Sequence, residues 1–225
     1  MQPLPPFATG DRLSDLIVTN ALVVTADAAG TVIRDGAVAI TAGRIDRLGP
    51  AAAIGTGAHE VIDAGGMILM PGLINTHCHA ADSLFRGLVE DLPLEPWLQT
   101  VWKAEAAILN RDTVRLGATL GFAELALSGV TTVMDMFWHP RETVAAARSV
   151  GLRVSTGGIF FDGPGVDGHS PDERLTDAAG FFRDFAGADD VLPGCFPHGA
   201  YTTGPDTLRA SRRPSASRWR TTGRP

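Results

Sequence analysis

From residue 14 the chain alternates short β-branched and apolar runs with turn residues. "DLIVTNALVVT" (15–25) carries Asn20 as a turn residue inside an otherwise strand-like run. "TVIRDGAVAITAGRIDRLG" (31–49) alternates around two turn signals, Asp35-Gly36 and Ala42-Gly43. A DG pair between alternating runs predicts a hairpin. "HEVIDAGGMILMPG" (59–72) continues the pattern. Residues 14–70 therefore read as the N-terminal part of a small antiparallel β layer, preceded by a tail over 1–13.

The pattern changes at residue 68 to strand followed by helix, repeated. "ILMPGLINTH" reads as a strand. In "LEPWLQTVWKAEAAIL" (94–109), Leu94, Trp97, Leu98, Val101, Trp102, Ile108 and Leu109 recur at helical spacing. Glu105 interrupts that stripe. "RDTVRLGATLGFAELALSG" (111–129) is a second helix, capped by Asn110 or Asp112 and stopped by Gly129. "VTTVMDM" (130–136) is a buried strand and "PRETVAAARSVG" a helix with Pro140 in its first turn. "LRVSTGGIFF" (152–161) is a strand. "SPDERLTDAAGFFRDFAG" is a helix that Ser170, Pro171 and Glu173 open as a capping box. "VLPGCFPHGAY" is a fourth strand and "TGPDTL" starts another helix.

Four strand–helix units in succession imply a parallel sheet. A doubly wound sheet and a β/α barrel are both compatible with that count. "GPGVDG" (163–168) matches a dinucleotide-binding glycine pattern, but its helix is capped beyond the last glycine and it follows the third strand. It reads as a Gly/Pro turn. A complete eightfold barrel takes about 250 residues, so residues 71–209 would make about half of one.

The last segment breaks these rules. "RASRRPSASRWRTTGRP" (209–225) has no apolar period, and Pro214 falls where the new helix should continue. Of 18 arginines, 6 lie in these residues. Such a composition is what a shifted reading frame in a GC-rich gene produces, and 210–225 is expected to be a non-native tail; a natural disordered tail is the alternative.

Composition narrows the function classes. The chain has 225 residues, 44% hydrophobic and 20% charged, with a net charge of −6. That is an ordinary globular composition with no polybasic footprint for nucleic acid. No apolar run reaches the roughly 18 residues of a spanning helix, and no signal peptide is evident. Two cysteines, Cys78 and Cys195, make no disulfide framework and read as small core residues in a cytoplasmic protein.

The chemistry concentrates in "PGLINTHCHAADSLFRG" (71–87). Residues i and i+2 of a strand share a face, so His77 and His79 present two imidazoles together while Cys78 faces away. Two neutral imidazoles suit Zn²⁺ or Fe²⁺. The strand's C-terminal end is where barrel sites sit.

With the following residues through "EDLPLEPWL", this stretch resembles the amidohydrolase superfamily, in the nucleobase and triazine branch of cytosine, guanine and adenosylhomocysteine deaminases and chlorotriazine hydrolases. The likeness spans about residues 14–208. It implies an α/β protein, a partial (β/α)8 barrel of about four βα units with an N-terminal β-sandwich layer. It implies one divalent metal ion held by His77 and His79, and a small heterocyclic substrate. "CFPHGAYTTGP" resembles the fourth-strand H-[AS]-P-Y-[TS]-x-S element of mononuclear deaminases, with Gly199-Ala200 in place of Ala-Pro. There His198 would contact substrate. The segment after strand one would shape the pocket through Trp97, Arg86 and Glu95. Trp97 also lies on its helix's apolar stripe, and Arg86 and Glu95 equally suit a solvated loop pair. Asp135 reads as a cap for the turn that follows it, and His59, His139 and His169 as surface residues. "TVWKAE" departs from the IWPxE form of thioadenosine and adenosylhomocysteine deaminases.

The implied reaction is hydrolytic deamination of a pyrimidine, purine or triazine. The resemblance places a third histidine ligand, a glutamate, a further histidine and an aspartate on later strands. After Ala210 the chain has no histidine, aspartate or glutamate, so the catalytic residues are unassigned and this chain is expected to be an inactive N-terminal fragment. A dehalogenating chlorotriazine-type hydrolase is one alternative. Another is a non-catalytic half-barrel that docks on a complete paralogue. For the intact protein a homo-oligomer stays open.

Overall fold

The computed structural model describes residues 13–214. The chain divides into two compact units, Met1–Pro71 and Gly72–Pro225.

The first unit is one five-stranded sheet. Strand β1 (Ser14–Val24) lies at its centre. It pairs antiparallel with β2 (Val32–Thr41), which pairs antiparallel with β3 (Arg44–Pro50). A short helix α1 (Ala51–Ile54) follows. Strands β4 (Ala58–Asp63) and β5 (Ile68–Leu69) then add to β1 in parallel. The sheet is thus mixed, where the sequence predicts an antiparallel layer. Alternation along β2 sends Ala37 and Ala39 to one buried cluster with Ile17, and Val38 to the other with Ala21 and Val23.

The two turn signals behave differently. Ala42-Gly43 is the predicted tight turn: Thr41 faces Arg44, and both turn residues have positive φ, 51° and 71°. Asp35-Gly36 is not a hairpin. It lies inside β2, with Asp35 at φ 47°, and the register with β1 slips by one residue between Gly36 and Ile33. It is a β-bulge. A Cβ on Gly36 would lie 2.7 Å from the Val23 side chain, so the pairing itself demands glycine.

The second unit carries a four-stranded parallel sheet. Strands β6 (Leu73–Cys78), β7 (Val130–Asp135), β8 (Arg153–Phe160) and β9 (Val191–Pro197) lie side by side in chain order. The order never reverses. A doubly wound sheet reverses at its switch point, so these strands wind in one direction. After β6 come a 3-10 turn (Ala80–Phe85) and helices α2 (Leu94–Ile108) and α3 (Arg111–Leu127). Helix α4 (Pro140–Val150) follows β7, α5 (Pro171–Asp184) follows β8, and α6 (Pro205–Ala210) follows β9.

The caps explain the boundaries. Asn110 Oδ1 accepts from the Asp112 and Thr113 amides at 2.9 and 3.1 Å, and the Thr113 hydroxyl accepts from the Asn110 amide. Ser170 and Glu173 form the predicted reciprocal box. Gly151 ends α4 in the left-handed conformation. The core joins Phe122 and Val114 of α3, Val133 of β7, Val144 of α4, Val154 of β8, Phe181 of α5 and Val191 of β9. "GPGVDG" is a loop between β8 and α5. Most of the expected Arg-rich tail, residues 215–225, lies outside the described residues; Ser211 is buried and its amide bonds to the Thr207 carbonyl at 2.8 Å.

Candidate active site

Side chains that carry chemistry gather where the four parallel strands end. His79 is the first residue after β6, Phe137 and Trp138 stand just beyond β7, Phe161 follows β8, and His198 follows β9. The ladder fixes these positions, because a parallel sheet delivers all its C-terminal ends to one side.

The rings of His77 and His79 are neighbours, with centroids 5.1 Å apart. His79 Nδ1 lies 2.9 Å from the Met136 carbonyl oxygen. A carbonyl only accepts, so Nδ1 carries the proton and Nε2 keeps a bare lone pair. This is how proteins orient a metal-ligating histidine. Burial holds the His79 imidazole below its usual pKa; the Met136 carbonyl opposes that shift, and His77 adds to it. The ring is therefore neutral near pH 7, the form that binds a metal. His77 and His79 fit two positions of a metal shell, and no cluster of three or more ligand-type side chains forms among the described residues.

Two aspartates flank the turn after His79, one buried and one half-buried. Asp135 is fully buried, and its Oδ1 accepts the Ala80 amide at 2.7 Å. It ties down the turn that follows His79 in β6's own connection, not the turn after itself. Cys78 and Thr143 face the same carboxyl but leave Oδ2 outside hydrogen-bond geometry. Burial pushes Asp135 up to about 6. Asp82, with one buried oxygen unpartnered, is pushed up to about 8 by burial and by the carboxylates of Glu105 and Asp135. The Cys78 thiol is driven far up by burial and by both aspartates. It packs against the core.

Two cavities open beside these groups. One, of about 520 Å³, is lined by His79, Asp82, Arg86 and Trp97 among others. Arg86 does not meet Glu95 there. Its guanidinium forks onto Glu124 of α3 at 2.8 and 2.7 Å, so the expected loop pair is replaced by a loop-to-helix pair. Glu95 is exposed and lines neither cavity. Trp97 is 37% exposed; the positions α2 buries are Val101 and Glu105.

The second cavity, of about 910 Å³, holds His198. Its Nδ1 lies 2.8 Å from the Thr202 hydroxyl, and its ring stands among Trp102, Phe161 and Tyr201 at centroid distances of 6.4, 6.3 and 5.8 Å. Burial, then the charge of His79, lowers its pKa. Glu105 also lines this cavity. Its Oε2 accepts the Trp138 indole N–H at 3.1 Å, and burial raises its pKa. Sequence reading did not nominate it as a site residue, though its break in the apolar stripe of α2 was the signal. Of the other histidines, His59 is exposed, His169 pairs with Asp177 at 3.0 Å, and His139 is half-buried at φ 52°, opening α4.

Comparison with known proteins places these observations. The family model described as "Amidohydrolase family" matches residues 68–220. The 5-methylthioadenosine/S-adenosylhomocysteine deaminase of Syntrophobacter fumaroxidans is 37% identical over 202 residues, 88% of this chain and 46% of that protein. "TVWKAE" thus departs from a motif form of the very deaminases the chain resembles in sequence. An adenosine deaminase from Xanthomonas campestris, solved with bound zinc, superposes with a TM-score of 0.86 at 29% identity, covering 95% of this chain and 48% of that one. A triazine hydrolase from Arthobacter aurescens shares the fold, with a TM-score of 0.82 at 22% identity, covering 91% of this chain and 51% of that one. The chain spans about half the length of the curated relatives it matches.

Proposed function

Because the chain belongs to the amidohydrolase family, we propose that it is the N-terminal half of a metal-dependent hydrolytic deaminase acting on an N-heterocycle. The four parallel strands are then the first half of a (β/α)8 barrel, and the five-stranded sheet is the N-terminal share of a flanking β-sandwich.

The observation that carries this reading is the His77–His79 pair, with its ring contact of 5.1 Å and the Nδ1 of His79 tied to Met136 at a strand's C-terminal end. Together with donors outside this chain, the two would hold zinc or ferrous iron, which supplies an acidified water for hydrolysis when bound. The rest is work for the chain's own groups. His198, held by Thr202, contacts the heterocycle. Trp102, Phe161 and Tyr201 sandwich it and exclude water. Trp97 and Arg86 wall the neighbouring cavity beside His79; Glu95 takes part only from the rim. A purine fits best, since two of the three proteins quoted are named for adenosine or its derivatives. Two imidazoles are half a tetrahedral shell, so the 225-residue chain is inactive alone.

Cobalt(II) titration with absorbance in the visible tests the pair. The wild-type chain should bind one ion weakly, and His77→Ala or His79→Ala should each abolish the signal. Binding that survives both substitutions would remove the metal assignment. Ammonia release from 5-methylthioadenosine by the purified chain would overturn the inactivity. A second reading, a non-catalytic half-barrel that docks on a complete paralogue, draws on β6 and β9, which pair on one side only among the described residues. Co-purification of a full-length relative would favour it.

A further inference from the structure

Two consecutive residues at the end of β7, Asp135 and Met136, hold the end of β6 through three hydrogen bonds. The Met136 amide donates to the Cys78 carbonyl at 3.1 Å. The His79 ring donates through Nδ1 to the Met136 carbonyl at 2.9 Å. The Ala80 amide donates to Asp135 Oδ1 at 2.7 Å. On the β7 side, Met136 acts through its backbone in the first two, and the third depends on a side chain. We propose that Asp135 is a positioning residue for His79: its carboxyl oxygen sets the peptide that follows the histidine, and with it the aim of the bare Nε2 lone pair. This rests on the metal-site reading above and adds the residue that aims one of the two ligands.

The chain leaves the strand at His79, with φ −132° and ψ 68°, and enters the 3-10 turn at Ala80. An amide that opens a helix finds no partner within it. Ala80 is 5% exposed, so its acceptor must come from the protein. Asp135 stands opposite Cys78 in the β6–β7 register, and its side chain reaches two residues further along to supply that acceptor.

Helix α3 fixes the other side of the turn. The Ser83 hydroxyl donates to the Gly117 carbonyl at 2.7 Å. A Cβ on Gly121 would lie 2.8 Å from the Ala80 carbonyl oxygen, so helix and turn touch backbone to backbone. The turn has no room to carry the Ala80 amide to another acceptor. Without Asp135 the donor is buried and unpaired, and rotation of the His79–Ala80 peptide, which draws the ring off Met136, is the relief left to it. Thr143 separates this role from general packing. It is fully buried and faces the same carboxyl, yet its hydroxyl makes no bond to the turn.

Two measurements on the 225-residue chain at pH 7.5 test this. Long-range proton–nitrogen NMR of histidine-labelled, metal-free chain reads the His79 tautomer, with His79→Ala assigning its signals. Cobalt(II) titration reads the affinity. In wild type His79 should carry its proton on Nδ1 alone. Asp135→Asn keeps an acceptor for Ala80 and should keep both tautomer and affinity. Asp135→Val, which fills the space, and Asp135→Ala, which does not, should each give mixed tautomers and weaken cobalt binding by about tenfold to a hundredfold. Thr143→Val should change neither readout. Wild-type tautomer and affinity in both acceptor-free variants, their loss in Asp135→Asn, or an equal change in Thr143→Val overturns the positioning role and leaves the metal reading standing. A wild-type chain that binds no cobalt overturns the metal reading, and the tautomers then decide the positioning role by themselves.

Discussion

Asp135→Asn should make this protein more stable at neutral pH, although it alters a fully buried residue beside the candidate site. Asp135 has an ordinary pKa of 3.8 and a folded value of about 6, raised by burial. Each pKa unit of difference is about 1.36 kcal/mol, so an ionised Asp135 lowers stability at pH 7 by about 3 kcal/mol relative to its protonated form. The sign follows from which state holds the proton. Between pH 3.8 and 6 the folded state binds more protons than the unfolded one, and stability falls as pH rises through that window. Below it both states are protonated and nothing is lost. Asparagine is uncharged at every pH, its Oδ1 can still accept the Ala80 amide, and its amide group faces Thr143 and Cys78. Urea unfolding followed by circular dichroism at pH 4 and pH 7 checks the argument. The variant should match wild type at pH 4 and exceed it by about 3 kcal/mol at pH 7. Asp82 titrates in both proteins, but the Asp135 charge helps raise its pKa, so removing that charge also relieves Asp82 and adds to the gain at pH 7 with the same sign. A variant less stable than wild type at pH 7, or a gap of equal size at both pH values, refutes the reasoning.

Two arginine pairs should give opposite results in the same assay. Arg174→Ala strands Asp167, its ion-pair partner, in a buried setting and should cost about 3–5 kcal/mol, whereas Arg86→Ala breaks an exposed pair and should cost less than about 1 kcal/mol; similar losses for both would contradict the burial argument. Gly117→Ala should lower the melting temperature despite the better helix propensity of alanine, because its Cβ would sit 2.5 Å from the Ala81 carbonyl oxygen in the turn after His79; overpacking of this kind costs about 1–3 kcal/mol, and an unchanged melting temperature would show that α3 and the turn separate freely.

Much of the second unit was readable from local signals. Asn110, Ser170 and Gly151 mark helix ends through bonds made within a few residues, so the sequence displays them directly. The strand order needed coordinates, because four strand–helix units do not say whether the winding reverses. Asp35-Gly36 misled because a bulge and a hairpin both call for positive φ, and only the pairing with β1 separates them. The mixed character of the first sheet was hidden for a related reason: β4 and β5 meet β1 across more than 40 residues of chain. At the candidate site, the H-x-H spacing announced two imidazoles on one face. The partner of Arg86 did not announce itself, since Glu124 stands 38 residues away on α3. Glu105 was visible as a polar residue in an apolar stripe, yet its bond to Trp138 exists only once α2 crosses the end of β7.

The groups around His198 belong to segments that begin after the sheet's hydrogen-bonded ladder has finished. Tyr201 is 64% exposed and has no share in strand pairing. In the proposed reading, selectivity and foldedness are therefore inherited separately in this unit. Exchanging Tyr201 or Ala200 for other residues would retune what is admitted while the cooperative melt stays where it was, which makes the 199–203 loop the place where a lineage, or a library, could explore new ligands with little risk to the scaffold.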